Sequence, residues 1–495
     1  MQEIIKGNTA VIEGLSALCP EADAVHHSAD SFGNAFHWFR LGTPRTLPEA
    51  AGLLRDAGAR LCMTAAYNRR QLSEPMQEVC YHFELEGVIY NLTVTLNGEW
   101  PTVPSITPLF ANADWHEREM MELYGISVTV HPNPRRLFLD EELDAGILNE
   151  AVQRKRGPLM STSTFDMPLG PVHVALEEPV YFRLTVEGET VRHVELTSGH
   201  VHRGMEALAS QRNLIKNVTL TERVCSLCSN SHSFTYCMAV ENVLGITIPP
   251  RARYLRVLAE EIKRTASHLF NTAIQAHIIG FKSLFMHVME VREMMQDLKE
   301  TVYGNRMNLA ANCIGGVKYD VDRELLDYMR KTVDKIEPQV EQICEIFNTN
   351  SLVLARTRGL GLLPKADALR LGVVGPVARG SGVHIDVRKD SPYAAYGELD
   401  FKSVVREDCC IHARTMVRLH EIFQSFSLIR QCIERLPQGP LTAPLRQIRT
   451  AEACARTEAP RGEVFYYIRT NETDIPARLK WRVPSYMNWE DHQQH

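Results

Sequence analysis

Apolar and polar positions alternate at Tyr81, Phe83 and Leu85 and again at Tyr90, Leu92, Val94 and Leu96, with Glu86-Gly87 between the runs. A period of two puts successive side chains on opposite faces, so this pattern predicts an antiparallel hairpin with one buried face. Upstream, Thr46 and Glu49 have capping-box spacing with Pro48 in the first turn, which predicts a helix through Leu53 and Leu54 to a stop at Gly58. Asp114 and Glu117 form a similar pair before a short helix closed by Gly125. A second hairpin is expected from residues 180–186 and 191–196 around Glu187-Gly188. The period then lengthens. Pro249-Pro250 opens a long helix whose stripe is Leu255, Leu258, Ile262, Leu269 and Ala273, and residues 322–349 and 406–435 are patterned likewise. The most apolar stretch, 269–289, contains Gln275, His277, Lys282 and His287, so a buried helix is expected there and not a membrane span.

Between these regions, residues 140–165 lose periodicity and read as a linker (141–165) between a unit over 1–140 and another over 166–495. A length of 495 residues suits two or three domains, and 44% hydrophobic with 23% charged residues is the balance of a folded globular chain. The net charge of −6 argues against a nucleic acid or an anionic membrane surface as a charge-driven partner. Twelve cysteines without a repeating framework fit a reducing compartment. The first residues show no signal-peptide pattern, and there is no internal repeat or phosphate-binding loop; Gly359 and Gly361 precede Leu-Leu-Pro, the wrong context for one.

Chemistry concentrates at Cys225 and Cys228, two thiols at C-x-x-C spacing with His232 following. Such thiols converge from one turn of chain and suit zinc, nickel, copper(I) or iron–sulfur iron. Two more stretches stand beside the pair. His202 and Glu206 are four apart and would share a helical face, an arrangement able to relay protons near a metal but more common as a surface contact. Arg461, in Ala459-Pro-Arg-Gly462, would be presented from a stiff turn toward an anionic ligand. Glu117, Glu119 and Glu122 are candidate acids, though a solvated or subunit-facing acidic helix is the favoured reading. Cys237, Cys313, Cys344, Cys432 and Cys454 read as small core residues, and residues 386–393 as a polar loop facing an interface or a cavity.

These stretches resemble a known family over nearly the whole chain. Residues 100–137, with Glu117-Arg-Glu and Leu123-Tyr-Gly, are similar to the 30-kDa subunit of respiratory complex I. From Leu169-Gly-Pro-Val-His onward, including residues 202–206, 375–382 and 386–393, the chain resembles the 49-kDa subunit and the large subunits of nickel–iron hydrogenases. The fusion of both parts resembles the large subunit of formate hydrogenlyase and other membrane-bound, energy-converting hydrogenases. The resemblance implies an α+β N-terminal domain followed by a mainly α-helical domain with a small N-terminal β part. It separates two branches: complex I subunits lack the metal thiolates, whereas hydrogenases keep Arg-x-Cys-x-x-Cys-x-x-x-His, matched by Arg223, Cys225, Cys228 and His232, and the Ala-Pro-Arg-Gly loop at 459–462.

Carried over, Cys225 would be a terminal nickel ligand and Cys228 a nickel–iron bridge. Arg461 would lie over the iron's diatomic ligands, and Glu206 would be the first proton acceptor. The family's centre takes four thiolates, and the second C-x-x-C is absent from these 495 residues, so the centre is expected to be incomplete in this chain. No cysteine set for an iron–sulfur cluster is present, so electrons are expected from an iron–sulfur small subunit. Membrane antiporter-like subunits, and formate dehydrogenase through ferredoxin-like subunits, are the other implied partners. The expected location is cytoplasmic, peripheral on the inner face of the cell membrane. The alternatives are a quinone-pocket subunit of an NADH:quinone oxidoreductase and a metal-free scaffold of an ion-translocating complex.

Overall fold

A computed structural model describes residues 7–20, 24–68, 77–96, 101–139, 145–146, 166–173, 179–187, 190–307 and 309–489. The expected linker therefore falls almost wholly outside the described residues, as does Gly188 of the second turn.

The first part places helices on one face of a mixed sheet. Helix α1 (Thr9–Ala17) and strands β1 (Val25–Ala29) and β2 (Ala35–Leu41) precede α2 (Leu47–Asp56), and β3 (Arg60–Asn68), β4 (Gln77–Leu85) and β5 (Val88–Leu96) follow. The order is β1-β2-β5-β4-β3, with β2–β5 parallel and the other pairs antiparallel. Leu85 faces Val88 across Glu86-Gly87, both at positive φ, which is the backbone twist a two-residue hairpin requires. Thr46 makes no side-chain cap, because a 3₁₀ turn over Pro44–Thr46 precedes α2. Short parallel strands β6 (Thr102–Pro104) and β7 (Ser127–Thr129) flank α3 (Ala113–Tyr124), which Gly125 ends in the left-handed conformation.

Helix α3 departs from the solvated acidic helix expected of it. Glu117 is buried, accepting from Ser105 Oγ at 2.5 Å, Ile106 N at 2.7 Å and Thr107 Oγ1 at 2.6 Å. Glu122 is buried too and accepts from the backbone N–H groups of Leu137, Phe138 and Leu139. Asp114 pairs with Arg118 and forms no capping pair with Glu117. These carboxylates are buried because they satisfy backbone donors of the flanking loops.

The second part opens with β8 (Asp166–Leu169), β9 (Tyr181–Glu187) and β10 (Thr190–Thr197), an antiparallel sheet containing the second expected hairpin. Then come α4 (Met205–Ala209), α5 (Leu214–Thr221), α6 (Ser229–Leu244), α7 (Pro250–Ile278) and α8 (Lys282–Tyr303). A ribbon of β11 (Asn312–Cys313) and β12 (Gly316–Val317) leads to α9 (Arg323–Thr349) and α10 (Ser351–Thr357). The helices α11 (Lys365–Arg370), α12 (Pro376–Arg379), α13 (Val387–Asp390) and α14 (Ile411–Arg435) follow. The apolar region 269–289 is two helices broken at Gly280, and among the described residues no helix is long and apolar enough to cross a membrane. Residues 386–393 are not an open loop: Arg388 on α13 is fully buried, paired with Asp386 at 2.8 Å and near Glu261. Cys237, Cys344, Cys432 and Cys454 are buried, whereas Cys313 is only half-buried.

A mainly helical second part is an incomplete description. The chain ends in a sheet of β13 (Ala451–Ala459), β14 (Gly462–Thr470) and β15 (Arg478–Arg482), followed by α15 (Pro484–Asn488). One face of this sheet, with Ala455, Tyr466 and Ile468, joins the helical core. The other, with Cys454, Phe465 and Tyr467, packs on Trp38, Cys62, Met63, Tyr67 and Cys80 of the first sheet. The β4–β5 hairpin is therefore buried on both faces and not on one, because sheet covers sheet.

Candidate functional site

Cys225 and Cys228 lie in a non-helical turn between α5 and α6, and α6 begins at Ser229. Cys225 is half-buried and Cys228 buried, and the His232 N–H donates to the Cys228 carbonyl at 3.1 Å. The Cys228 thiol is pushed well above its ordinary range, first by its hydrogen bond with Cys225 and then by burial; Arg461 and Lys263 act in the opposite sense. Lys263 Nζ on α7 donates to the carbonyls of Ser226 at 3.1 Å and Met307 at 2.9 Å. Arg203 Nη2 donates to the carbonyls of Arg223 at 2.8 Å and Val224 at 3.1 Å. Both cations fasten the cysteine turn. Neither had a local sequence signal, since each acts on backbone carbonyls that its own neighbourhood does not reveal.

His232 Nδ1 lies 2.8 Å from Tyr466 Oη, while its buried Nε2 has no hydrogen-bond partner. Burial depresses the imidazole to about 3, so it is neutral at physiological pH. Arg461 sits where its sequence context predicts. Ala459 pairs with Gly462, leaving Pro460-Arg461 as a two-residue turn between β13 and β14. Gly462 has φ +130°, and a Cβ there would lie 2.8 Å from Val374 Cγ2 and 2.9 Å from Gly375 N. The turn thus rests directly on the backbone at Gly375.

His202 and Glu206 do not share a helical face, because α4 begins only at Met205 after Gly204 at positive φ. The His202 ring instead lies 6.3 Å from that of Phe138. Glu206 Oε2 accepts from Arg478 at 2.6 Å, and its Oε1 is 3.2 Å from Lys480 Nζ. Burial raises this carboxyl, but Lys480 and Arg478 outweigh it and hold Glu206 below the ordinary carboxylate range.

One cavity of about 280 Å³ is lined by Cys225, Cys228, His232, Arg461 and Glu206 together. Trp115 and Glu119 of α3, with Phe138, line it from the first part of the chain, and Lys480 and Tyr486 from the last. Two thiols that hydrogen-bond to each other suit a soft metal held from one side. Among the described residues, no three His, Cys, Asp or Glu side chains converge to hold an ion.

Residues 203–273, which carry Glu206, both cysteines and His232, match the family described as nickel-dependent hydrogenase. Residues 42–159 match the 30-kDa subunit of respiratory-chain NADH dehydrogenase, and residues 279–453 and 444–494 its 49-kDa subunit. The carbon monoxide-induced hydrogenase of Rhodospirillum rubrum is 58% identical over 330 residues, covering 66% of this chain and 91% of that protein. This chain belongs to the family of energy-converting hydrogenase large subunits. Formate hydrogenlyase subunit 5 of Escherichia coli is 31% identical over 415 residues, covering 80% of this chain and 73% of that one. Among solved structures, the membrane-bound sulfane sulfur reductase, an archaeal respiratory membrane complex, matches with a TM-score of 0.64 and 29% identity, covering 67% of this chain and 91% of its own. As a hydrogenase large subunit the chain is an oxidoreductase, and its family implies a nickel–iron centre in general terms. By name, the Pyrococcus furiosus relative is the alpha subunit of a membrane-bound hydrogenase, and the sulfane sulfur reductase is a respiratory membrane complex.

Proposed function

We propose that this large subunit reduces protons to H₂, or runs the reverse, in the cavity lined by Cys225 and Cys228. The observation that carries this reading is the convergence of two thiols, a guanidinium, a carboxylate and an unpartnered imidazole nitrogen on one cavity. Cys225 and Cys228 would hold the nickel–iron centre through their thiolates. When bound, such a centre with its diatomic ligands supplies the electron chemistry of H₂ formation. Arg461, fixed by the contact of Gly462 with Gly375, offers a permanent cation and a fork of donors to the diatomic ligands. Glu206, kept ionised by Arg478 and Lys480, is in the state that accepts a proton. His232 stays neutral and braces the first turn of α6 against β14 through Tyr466.

Electrons would come from an iron–sulfur small subunit, the partner that the hydrogenase resemblance implies. Antiporter-like membrane subunits, and formate dehydrogenase through ferredoxin-like subunits, complete the proposed complex at the cytoplasmic face of the cell membrane. Division into 1–140, a linker over 141–165 and 166–495 accompanies this reading. The test is metal analysis of the matured, purified complex. Nickel and iron should be present, and both nickel and H₂ turnover should be lost in Cys225→Ser and Cys228→Ser. A matured complex without nickel but intact in assembly would point to a scaffold and sink the proposal. A quinone pocket is the second reading, favoured by the aromatic wall of Trp115, Phe138 and Tyr486. Quinone-dependent turnover that survives Cys225→Ala would establish it.

A further inference from the structure

One ionisable side chain from the first part of the chain lines the cavity without a role in the reaction described above. Glu119, on α3, accepts from Lys480 Nζ through Oε1 at 2.6 Å and from Tyr486 Oη through Oε2 at 2.8 Å. The same Lys480 Nζ lies 3.2 Å from Glu206 Oε1. A single ammonium is therefore shared between two carboxylates, one from each part of the polypeptide, and all three groups line the cavity. The other cation on Glu206, Arg478, is a guanidinium, which does not release its protons. Of the two groups bound to Glu206, only Lys480 can carry a proton away.

We infer that Glu119 is the acceptor to which Glu206 passes its protons through Lys480, an inference that rests on the proton chemistry proposed for this cavity. In the step, the Lys480 ammonium gives one N–H proton to Glu119 and takes the carboxylic proton of Glu206. The ammonium is restored, one proton has moved from Glu206 to Glu119, and no electron or co-reactant is needed. Arg478, Lys480, Tyr124 and Tyr466 face Glu206; Lys480, Tyr486, Arg478, Tyr124 and the nearby Glu122 face Glu119. Two cations, Arg478 and Lys480, thus stand among the carboxylates of Glu206, Glu119 and Glu122. The first part of the chain would then complete the site as well as dock it.

The experiment compares Glu119→Gln and Glu119→Asp with the unaltered chain in the assembled complex. Glu119→Gln should slow H₂ turnover about 100-fold, raise the solvent deuterium isotope effect on turnover, and leave the nickel content unchanged. Infrared titration of the Glu206 carboxyl, assigned against Glu206→Gln and repeated on protein without metal, should move to lower pH because Lys480 then serves Glu206 alone. Glu119→Asp, which keeps the charge, should recover most of the turnover. An unchanged isotope effect with an unchanged titration overturns the relay. So does a loss of turnover that tracks loss of assembly in both variants, since that marks Glu119 as a brace only. Full turnover in Glu206→Gln would instead overturn the underlying proton reading, whereas failure of that variant beside a normal Glu119→Gln overturns the relay alone.

Discussion

At the scale of single residues, the cysteine turn is held mostly by groups that are not ligands. Lys263 is 3% exposed and satisfies the carbonyls of Ser226 and Met307. Replacing it with methionine keeps its length but takes this donor from the Ser226 carbonyl beside the thiols, while the Met307 carbonyl keeps its bond from Ser229 Oγ at 3.2 Å. Groups that orient metal ligands from behind are worth about 10–100-fold in metal affinity. Lys263→Met should therefore lower nickel occupancy of the complex, read by metal analysis against protein content. A second expectation concerns His232. Because its imidazole titrates near 3 through burial, it carries no charge change between pH 5 and 8. His232→Gln should reduce the amplitude of the pH–turnover profile without moving its acid limb, and a shifted limb would contradict the neutral assignment. Cys225, Cys228 and Arg461 were legible because their spacing and neighbours are local. Lys263 and Lys480 were not, for their partners lie far along the chain, and Glu119 read as solvent-facing because nothing near it in sequence names Lys480.

Among elements, strands were recognised only where one face of the local pattern was polar. The β4–β5 hairpin alternates and was predicted with its turn. Residues 464–468, Val-Phe-Tyr-Tyr-Ile, are apolar without alternation because β14 is buried on both faces, so a period of two leaves no trace there. Helix α7 was legible from its stripe, yet its end at Ile278 was not, since Gly280 punctuates an otherwise apolar run. Two glycine substitutions separate conformational need from mere presence. At Gly462, alanine would meet both a positive φ and contacts of 2.8 Å to Val374 Cγ2 and 2.9 Å to Gly375 N. Strain of that kind costs about 1–3 kcal/mol, and it would lift the turn that presents Arg461. Gly462→Ala should lower the melting temperature and depress turnover with nickel retained. Gly52, inside α2, has nothing within 4 Å of the place an added Cβ would occupy. Gly52→Ala should stabilise by about 0.5–1 kcal/mol and leave turnover unchanged.

Over the whole molecule, two carboxylates clamp the first sheet to the last, and neither pairing is visible in sequence because each joins residues hundreds of positions apart. Glu463 on β14 takes Arg60 of β3 at 2.8 Å, Arg456 at 3.1 Å and Arg482. Reciprocally, Glu78 of β4 takes Arg469 of β14 at 2.7 Å, along with Arg40 and the Tyr67 hydroxyl. Burial raises both carboxyls, but at Glu78 the Tyr67 hydrogen bond and Arg40 outweigh it and hold the group at about 2, and at Glu463 the three arginines hold it well below the ordinary range. A carboxyl depressed in the folded state binds fewer protons than in the unfolded chain. Its contribution is complete above the ordinary carboxylate value of 4.5 and is lost as pH falls below that value toward 2. The melting temperature should therefore respond little to these two groups between pH 5 and 8 and fall steeply from pH 4.5 downward. Arg60→Ala removes one of three cations from a buried charge, which costs about 1–3 kcal/mol because two partners remain. The variant should also show a shallower acid limb, since less of the Glu463 depression is left to lose. Because Glu463 adjoins the turn that presents Arg461, the same substitution should lower H₂ turnover at pH 7. Turnover unchanged beside a lowered melting temperature would show that the clamp holds the two sheets together without fixing the turn.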